Sequence, residues 1–202
     1  MTYRPPLLVL LAALSLIACG CQQHARSHEP AEAPPPATGP APAAAFSVSA
    51  MRIRKLESQH YCYVPVRTSF QDMAEPTTRI LADLGGAAKA GSIHPTGPAL
   101  FIYHDASEDA AKPFDLEVGF SVSPSDTPPA RFRLRQLPAF DCATVTYRGP
   151  MRSIGKAYEK LIPQIIAAGH VPSAETRESY LAWQGPDSPN NVVEIEVGIE
   201  GK

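Results

Sequence analysis

The sequence predicts an α+β fold in which a β-α-β-β unit occurs twice between Phe46 and Lys202. Two observations predict it. Similar residues recur in the same order at a nearly constant separation, and each copy combines strands of alternating hydrophobicity with one amphipathic helix. With 202 residues, 44% of them hydrophobic, the chain can bury one sizeable core, so we expect one globular domain built of two halves.

The internal repeat is visible as pairs of like residues. A shift of 81 residues (137 minus 56) places Leu56 on Leu137, Val64 on Val145 and Arg67 on Arg148. A shift of 79 (194 minus 115) places DLEVG at 115–119 on EIEVG at 194–198. Loops of different length explain why the two shifts differ. We therefore expect repeat 1 at about 46–125 and repeat 2 at about 126–202.

In the first unit, alternating Met51 and Ile53 and then the run at 61–66 give strand signals. A helix is predicted at about 76–90, because its apolar residues share one face and Gly91 stands where the pattern ends. Two more strands are predicted at 100–103 and 114–122, with a turn between them.

The second unit repeats this order. Strands are predicted at 140–147, 176–183 and 191–199, and an amphipathic helix that Gly169 is placed to cap follows the first of them. The apolar face of that helix comprises Ile154, Tyr158, Leu161, Ile162 and Ile165. Pro163 removes one hydrogen bond inside the helix, so a kink is expected there.

The first residues resemble the signal peptide of a bacterial lipoprotein. Arg4 precedes an uncharged apolar run at 7–18, which is of secretory length and short for a membrane-spanning helix. The run ends Leu-Ile-Ala-Cys, which is similar to a lipobox and implies removal of residues 1–18 and lipidation of Cys19. Gly20 then favours the outer membrane, facing the periplasm. An ordinary secretory peptide is the alternative.

A tether is predicted at 19–45. The segment is rich in Pro and Ala and has no apolar periodicity, so it cannot bury enough surface to fold. Pro34, Pro35 and Pro36 favour a polyproline II conformation. We expect a semi-rigid spacer between the lipid and the domain.

Charge and motifs exclude several classes of function. The net charge is -2 and the basic residues form no stripe, so no nucleic-acid partner is expected. The histidines lack the spacing of a zinc site, and neither a phosphate-binding glycine loop nor a catalytic triad is identifiable. We expect no metal and no cofactor, and a monomer.

A family resemblance rests on segments that occur in a fixed order. They are FIYHD at 101–105, DLEVG at 115–119, YRGP at 147–150, AY at 157–158, GH at 169–170, RESYL at 177–181 and VEIEV at 193–197. Together they resemble the GyrI-like small-molecule-binding domain, the effector-binding domain of AraC-type and MerR-type regulators. The resemblance implies a curved, pseudo-two-fold antiparallel sheet around a central ligand cleft, with the helices packed outside.

The resemblance also implies a site. Members bind flat, lipophilic, often cationic compounds between aromatic walls and a buried glutamate, which falls on Glu178, with Tyr180 beside it. A shift of 77 (180 minus 103) places Tyr103 on Tyr180 and Phe101 on Glu178, which makes both first-half residues candidate pocket walls. A surface acid paired with Arg177 or Lys202 is the alternative for Glu178.

Two further residues are candidates with open alternatives. Trp183 lies on the strand face opposite Tyr180 if the strand is regular, so it either caps the pocket mouth or covers the sheet. Glu194 alternates with Ile195, which fits either ligand contact or a solvated acidic face. Cys62 and Cys142 occupy nearly equivalent places in strands that could be neighbours, and either a disulfide or two free thiols is possible.

The interpretation that we favour is a membrane-anchored, extracytoplasmic protein that binds a small lipophilic molecule, with Glu178 as the polar group of the cleft. The first alternative is a hydrolase of electrophilic, cyclopropane-like compounds, in which Glu178 acts as general base and Tyr180 donates or orients a proton. The second is an envelope interaction module, whose cleft would be filled by side chains. A secreted protein without a helix-turn-helix would act neither on promoters nor on DNA gyrase.

Overall fold

A computed structural model describes residues 46–200. Its elements are β1 Ser47–Val48, β2 Arg52–Leu56, β3 Gln59–Thr68, α1 Ala74–Lys89, β4 Pro95–His104, β5 Phe114–Val122, β6 Arg133–Leu137, β7 Phe140–Arg148, α2 Gly155–Ala167, β8 Val171–Ala182 and β9 Val192–Glu200. The predicted signal peptide, Cys19 and the tether lie outside the described residues.

The strands form one antiparallel sheet in the order β1-β7-β9-β8-β4-β5-β3-β6, and β2 also pairs with β7. One half consists of β3, β4, β5 and α1, and the other of β7, β8, β9 and α2. This arrangement confirms the predicted α+β fold with a repeated β-α-β-β unit. The halves meet at the centre of the sheet, where β4 pairs with β8.

A pseudo-two-fold axis runs through this central pair. Phe101 on β4 lies directly opposite Glu178 on β8, and these two residues are also repeat counterparts (178 minus 101 is 77). The axis therefore passes between them. The halves also exchange strands, because β2 of the first half pairs with β7 and β6 of the second half pairs with β3.

The register corrects one step of the sequence alignment. Leu100 pairs with Gly119, and its counterpart Arg177 pairs with Glu196, so β5 maps onto β9 with a shift of 77 (196 minus 119) instead of 79. A slip of two residues keeps every side chain on its own face of a strand, so the apolar pattern could not reveal it. The corrected shift makes two ion pairs equivalent, Arg135–Glu117 and Arg54–Glu194, each 2.7 Å long.

Both helices pack on one face of the sheet through small and branched apolar residues. The buried residues are Thr77, Ile80, Leu84 and Ala87 in α1 and Ala157, Leu161 and Ile165 in α2. Pro163 lies inside α2, which nevertheless continues to Ala167. Gly91 and Gly169, with φ of 72° and 82°, follow the two helices as predicted, because glycine tolerates this left-handed conformation. Neither helix is long and apolar enough to cross a membrane.

The two buried cysteines are free thiols. Cys62 lies on β3 and Cys142 on β7, and four strands (β9, β8, β4 and β5) separate β3 from β7 in the sheet. The expectation that these strands could be neighbours is therefore wrong, and the disulfide alternative fails. The physical reason is the pseudo-two-fold axis, which places equivalent strands on opposite sides of the sheet centre.

Candidate functional site

The site centres on the carboxylate of Glu178, whose residue is only 4% exposed. Three tyrosine hydroxyls donate hydrogen bonds to it. The hydroxyl of Tyr158 lies 2.7 Å from Oε1, and those of Tyr103 and Tyr180 each lie 2.8 Å from Oε2. A buried carboxylate is tolerated only when its oxygens are hydrogen-bonded, and here tyrosines supply that hydrogen bonding.

Three elements bring these groups together. Glu178 and Tyr180 are two residues apart on β8, so their side chains share one face of the sheet. Tyr103 shares that face on the neighbouring strand β4, two residues from Phe101, which lies opposite Glu178. Tyr158 reaches the carboxylate from α2, whose buried face packs on the same side of the sheet. The helix and both central strands thus meet at one carboxylate.

Six aromatic rings form a continuous row that includes Tyr103 and Tyr180, two of the residues that donate to the carboxylate. Ring centroids are 4.6 Å apart for Phe70–Phe114, 6.1 Å for Phe70–Tyr103, 6.5 Å for Phe101–Tyr103, 4.7 Å for Phe101–Tyr180 and 5.9 Å for Tyr180–Trp183. Phe70, which lies beside the buried Phe114 at one end of the row, is 43% exposed, and Trp183 at the other end is 50% exposed. We call Phe70, Phe101, Tyr103, Phe114, Tyr180 and Trp183 the aromatic row.

Trp183 does not lie on the opposite strand face from Tyr180, as a regular strand would require. The pairing of β8 with β9 shifts register between Tyr180 and Ala182, and β8 ends at Ala182. The irregularity turns the chain, so that the indole ring meets Tyr180 edge-on. Trp183 is therefore part of the aromatic row and contacts Tyr180, which donates to Glu178.

Electrostatics at the site are set by burial. Burial raises the pKa of Glu178, although the hydrogen bonds from Tyr158, Tyr180 and Tyr103 act in the opposite direction. Burial, and then the charge of Glu178, hold the pKa of each of these three tyrosines well above its ordinary value. The hydroxyls are therefore donors at every physiological pH. Within residues 46–200, no group of three or more His, Cys, Asp or Glu side chains is arranged to hold a metal ion.

Glu194 is not part of this cluster. It pairs in register with Ser179, a neighbour of Glu178 whose side chain points to the other face of the sheet. There its carboxylate accepts a 2.7 Å ion pair from Arg54. The predicted role of Glu194 as a ligand contact is therefore not met. The expected alternative partner of Glu178, Arg177, instead binds Glu175 at 2.7 Å on that other face.

Sequence reasoning misses Tyr158 and Phe70 as site residues. The helical pattern places Tyr158 on the apolar face of its helix, and its hydroxyl is the only sign that this face needs a polar partner. Phe70 lies between β3 and α1, where no periodicity marks a residue as important. Both positions depend on how separate segments pack.

Glu178 is buried, with 4% of its surface exposed. A pocket of about 360 Å³ lies in the first half, between α1 and β3, and a pocket of about 80 Å³ lies near Arg52 and Arg54. Glu178 lines neither of them. Access of a molecule to the carboxylate therefore requires movement of rings in the aromatic row.

Comparison with known proteins places this geometry in a family. The family model of the GyrI-like small molecule binding domain matches residues 49–200. Among the curated proteins, none matches the sequence significantly.

Solved structures show the same fold. The C-terminal domain of EcmrR is 20% identical, with 75% of this chain and 97% of that domain covered and a TM-score of 0.64. In the EcmrR–DNA complex, the similar part spans 57% of the EcmrR chain. SAV2435 bound to tetraphenylphosphonium is 14% identical, covers 76% and 95% of the two chains, and has a TM-score of 0.56. A hydrolase from Listeria innocua is 10% identical, covers 74% and 91%, and has a TM-score of 0.50.

The family model covers most of the chain, and the strands, helices and central glutamate follow the pattern that the sequence resemblance predicts. The chain belongs to the GyrI-like family of small-molecule-binding domains.

Proposed function

We propose that this protein binds a small lipophilic molecule, preferably a cation, at Glu178 and the aromatic row. The observation that carries the proposal is a buried carboxylate among aromatic rings, hydrogen-bonded only by tyrosine hydroxyls among the described residues. Such a carboxylate attracts a cation strongly because water is excluded around it. Each aromatic face adds about 0.5–2 kcal/mol through cation–π contact.

A related structure supports the class of ligand. SAV2435, which shares the fold, was solved with tetraphenylphosphonium, a large apolar cation. A ligand of that kind has aromatic surface for the row and a charge for Glu178. It also has no hydrogen-bond donor, so the tyrosine hydroxyls can keep their bonds to the carboxylate while it binds.

Entry of the ligand would begin at the exposed ends of the row. Phe70 and Trp183 are about half exposed, so rotation of their side chains uncovers Tyr103 and Tyr180 without loss of sheet pairing. Aromatic side chains have few rotatable bonds, so ordering them around a bound ligand costs little conformational entropy.

Equilibrium dialysis with tetraphenylphosphonium tests the proposal. The protein for this test is the unlipidated chain, which begins at residue 19 and carries Cys19→Ser. We expect saturable binding that Glu178→Gln weakens at least about tenfold, whereas Glu194→Gln, on the other face of the sheet, changes it less than about twofold. Equal binding by all three proteins would refute a role for the Glu178 charge.

The hydrolase alternative receives less support from the geometry. A general base must reach the water that it activates, and the hydrolase alternative also needs an acid beside it. The groups that contact Glu178 are tyrosines whose raised pKa makes them poor acids. A carboxylate among rings is better suited to holding a ligand than to turning it over. The interaction-module alternative predicts a cleft filled by side chains, and the dialysis experiment separates it from ligand binding.

The cellular location is a second part of the proposal, supported by the sequence of residues 1–45. We infer a lipoprotein attached through Cys19 to the outer membrane, with the domain in the periplasm. Metabolic labelling with an alkyne fatty acid should modify the wild-type protein and leave Cys19→Ala unlabelled. Labelling that survives Cys19→Ala, or no labelling of either, would refute this location.

A further inference from the structure

The two halves differ at one strand edge. In the second half, the outer edge of β7 pairs with β2 and, beyond it, with β1, where Val48 lies opposite Tyr147. In the first half, β6 pairs with β3 only as far as Arg133 opposite Tyr63. Among the described residues, no strand pairs with the outer edge of β3 at 64–68.

Residues 46–49 of the chain itself fill the second-half position. Phe46 stacks on Tyr147 with centroids 6.1 Å apart, and the ammonium group of Lys160 lies 5.3 Å from the centre of the Phe46 ring. The main-chain N–H of Ser49 donates to the carbonyl of Thr146 at 3.0 Å. An extended segment of four residues is thus enough to cover this edge.

The corresponding place in the first half is an open groove. It is the pocket of about 360 Å³, whose lining includes Val64, Pro65, Val66, Ile80, Asp83 and Phe132. Phe132 is the counterpart of Met51 (132 minus 81). Before Phe132 the chain turns away from the edge of β3, and the N–H of Phe132 donates a hydrogen bond to the carbonyl of Pro129. The positions of Phe46 and Val48 have no counterpart in this groove.

Pro65 does not prevent a strand from adding here. Its counterpart is Thr146 (65 plus 81), whose N–H donates to the hydroxyl of Ser49 and not to a main-chain carbonyl. The proline therefore removes only a bond to a side chain, and its carbonyl is still able to accept the bond that Thr146 accepts.

Charge distinguishes the two grooves. The buried pairs Ile80/Ala157 and Leu84/Leu161 (each 77 apart) align the helices, and the same shift places Asp83 on Lys160. Where the second half holds a cation above an aromatic ring, the first half has a carboxylate. Arg79 and Arg131 also line this groove, but Arg79 pairs with Glu75 at 3.2 Å and the Arg131 guanidinium lies 4.7 Å from the centre of the Phe132 ring. Among the described residues Asp83 forms no ion pair, so the position of Phe46 suits a basic side chain here.

We propose that the outer edge of β3 and this groove bind an extended peptide segment of a protein partner, with the pattern basic–any–aliphatic. The segment runs antiparallel to β3 and continues the ladder that β6 begins. Its aliphatic side chain lies at the position of Val48, beside Val66 and Ile80. Its basic side chain lies at the position of Phe46, beside Asp83. This site is separate from the Glu178 cluster.

Two peptides based on the chain's own segment 45–50 test the inference: acetyl-Ala-Lys-Ser-Val-Ser-Ala-amide and its Glu counterpart. Each is titrated to millimolar concentration into the ¹⁵N-labelled unlipidated chain, and amide shifts are followed by NMR. We expect saturable shifts at Val64, Val66 and Ile80, with the Lys peptide binding about fivefold more tightly, as an exposed charge contact allows. Asp83→Lys should reverse this preference, and Glu159→Lys, the same charge change on α2, should leave it unchanged.

Absence of saturable shifts at residues 64–68 would overturn the proposal. So would equal affinity for the two peptides, or a preference that survives Asp83→Lys. Binding of tetraphenylphosphonium in this groove, without binding of either peptide, would also overturn it and identify a small-molecule pocket instead. Peptide binding should be unchanged by Glu178→Gln, so this proposal and the ligand proposal fail independently.

Discussion

Tyr158 on α2 and Glu178 on β8 are joined by a 2.7 Å hydrogen bond that connects a helix to the centre of the sheet. The sequence predicts one of these segments as an amphipathic helix and the other as a strand that carries a charged residue. The bond makes the carboxylate part of the packing between helix and sheet.

Removal of the Tyr158 hydroxyl should cost stability. Tyr158→Phe leaves Glu178 with two donors, and hydrogen bonds to a charged group contribute about 1.5–3 kcal/mol. Urea unfolding at pH 7 should therefore show a free energy of unfolding lower by about that amount. Tyr63→Phe is the control, since Tyr63 is buried on the other face and stacks on Tyr61 without contact to Glu178. Equal losses in the two variants would contradict the role of the bond.

Glu196 should make the protein less stable as pH rises. Burial, followed by the charge of Glu194, raises the pKa of Glu196 to about 7, against an unfolded value near 4.5. Between these values the folded state holds a proton that the unfolded state has lost, so stability falls as pH increases through this window. The total effect is at most about 3 kcal/mol.

Glu196→Gln removes this titration. Urea unfolding between pH 4.5 and 8 should give a flatter stability curve for the variant, and the difference between the proteins should be largest at pH 8. Parallel curves for the variant and the wild type would show that Glu196 does not carry the raised pKa.

Two glycines should respond in opposite ways to alanine. A Cβ at Gly119 would collide with the carbonyl oxygen of Cys62, with the ring of Tyr61 and with the Cβ of Tyr63, so Gly119→Ala should lose about 3 kcal/mol or more. Gly86 lies in α1, and a Cβ added there would have nothing within 4 Å, so Gly86→Ala should gain about 0.5–1 kcal/mol. Thermal unfolding of both variants measures this, and a destabilised Gly86→Ala would contradict the helix assignment.

The buried thiols should be unreactive in the folded protein. Burial raises the pKa of Cys62 to about 11 and that of Cys142 to about 12, so almost no thiolate is present at pH 8. With Cys19 and Cys21 replaced by serine, a thiol reagent such as DTNB should label two groups in denaturant and almost none without it. Fast labelling of the native protein, or a disulfide-linked product, would contradict the described core.

Much of the fold could be predicted from periodicity. The first helix is predicted at about 76–90 and spans Ala74–Lys89, and the predicted strand 114–122 coincides with β5. Strand ends are less accurate, because the long central strands continue into polar residues. β8 begins at Val171 and not at Thr176, and β4 begins at Pro95, before the apolar run at 100–103.

Other features could not be predicted because they depend on register or packing. Aligning β5 with β9 by a shift of 79 instead of 77 leaves the same side chains buried. Only the hydrogen-bond pairing of the strands therefore reveals the correct alignment. The irregularity after Tyr180, which brings Trp183 to the aromatic row, has no local sequence signal. The pairing of Phe101 with Glu178 could be predicted from the sequence, because a shift of 77 already aligns these two residues.

The central claim is that the charge of Glu178 and the aromatic row together hold a lipophilic cation. Trp183 is the only tryptophan of the chain and lies 5.9 Å from Tyr180, so its fluorescence reports on the site directly. The decisive measurement is a fluorescence titration of the wild type and Glu178→Gln with tetraphenylphosphonium and with neutral triphenylphosphine oxide. We predict saturable quenching by the cation that Glu178→Gln weakens at least about tenfold, with little change for the neutral compound. Equal affinities for both compounds, or a cation affinity unchanged by Glu178→Gln, would contradict the account.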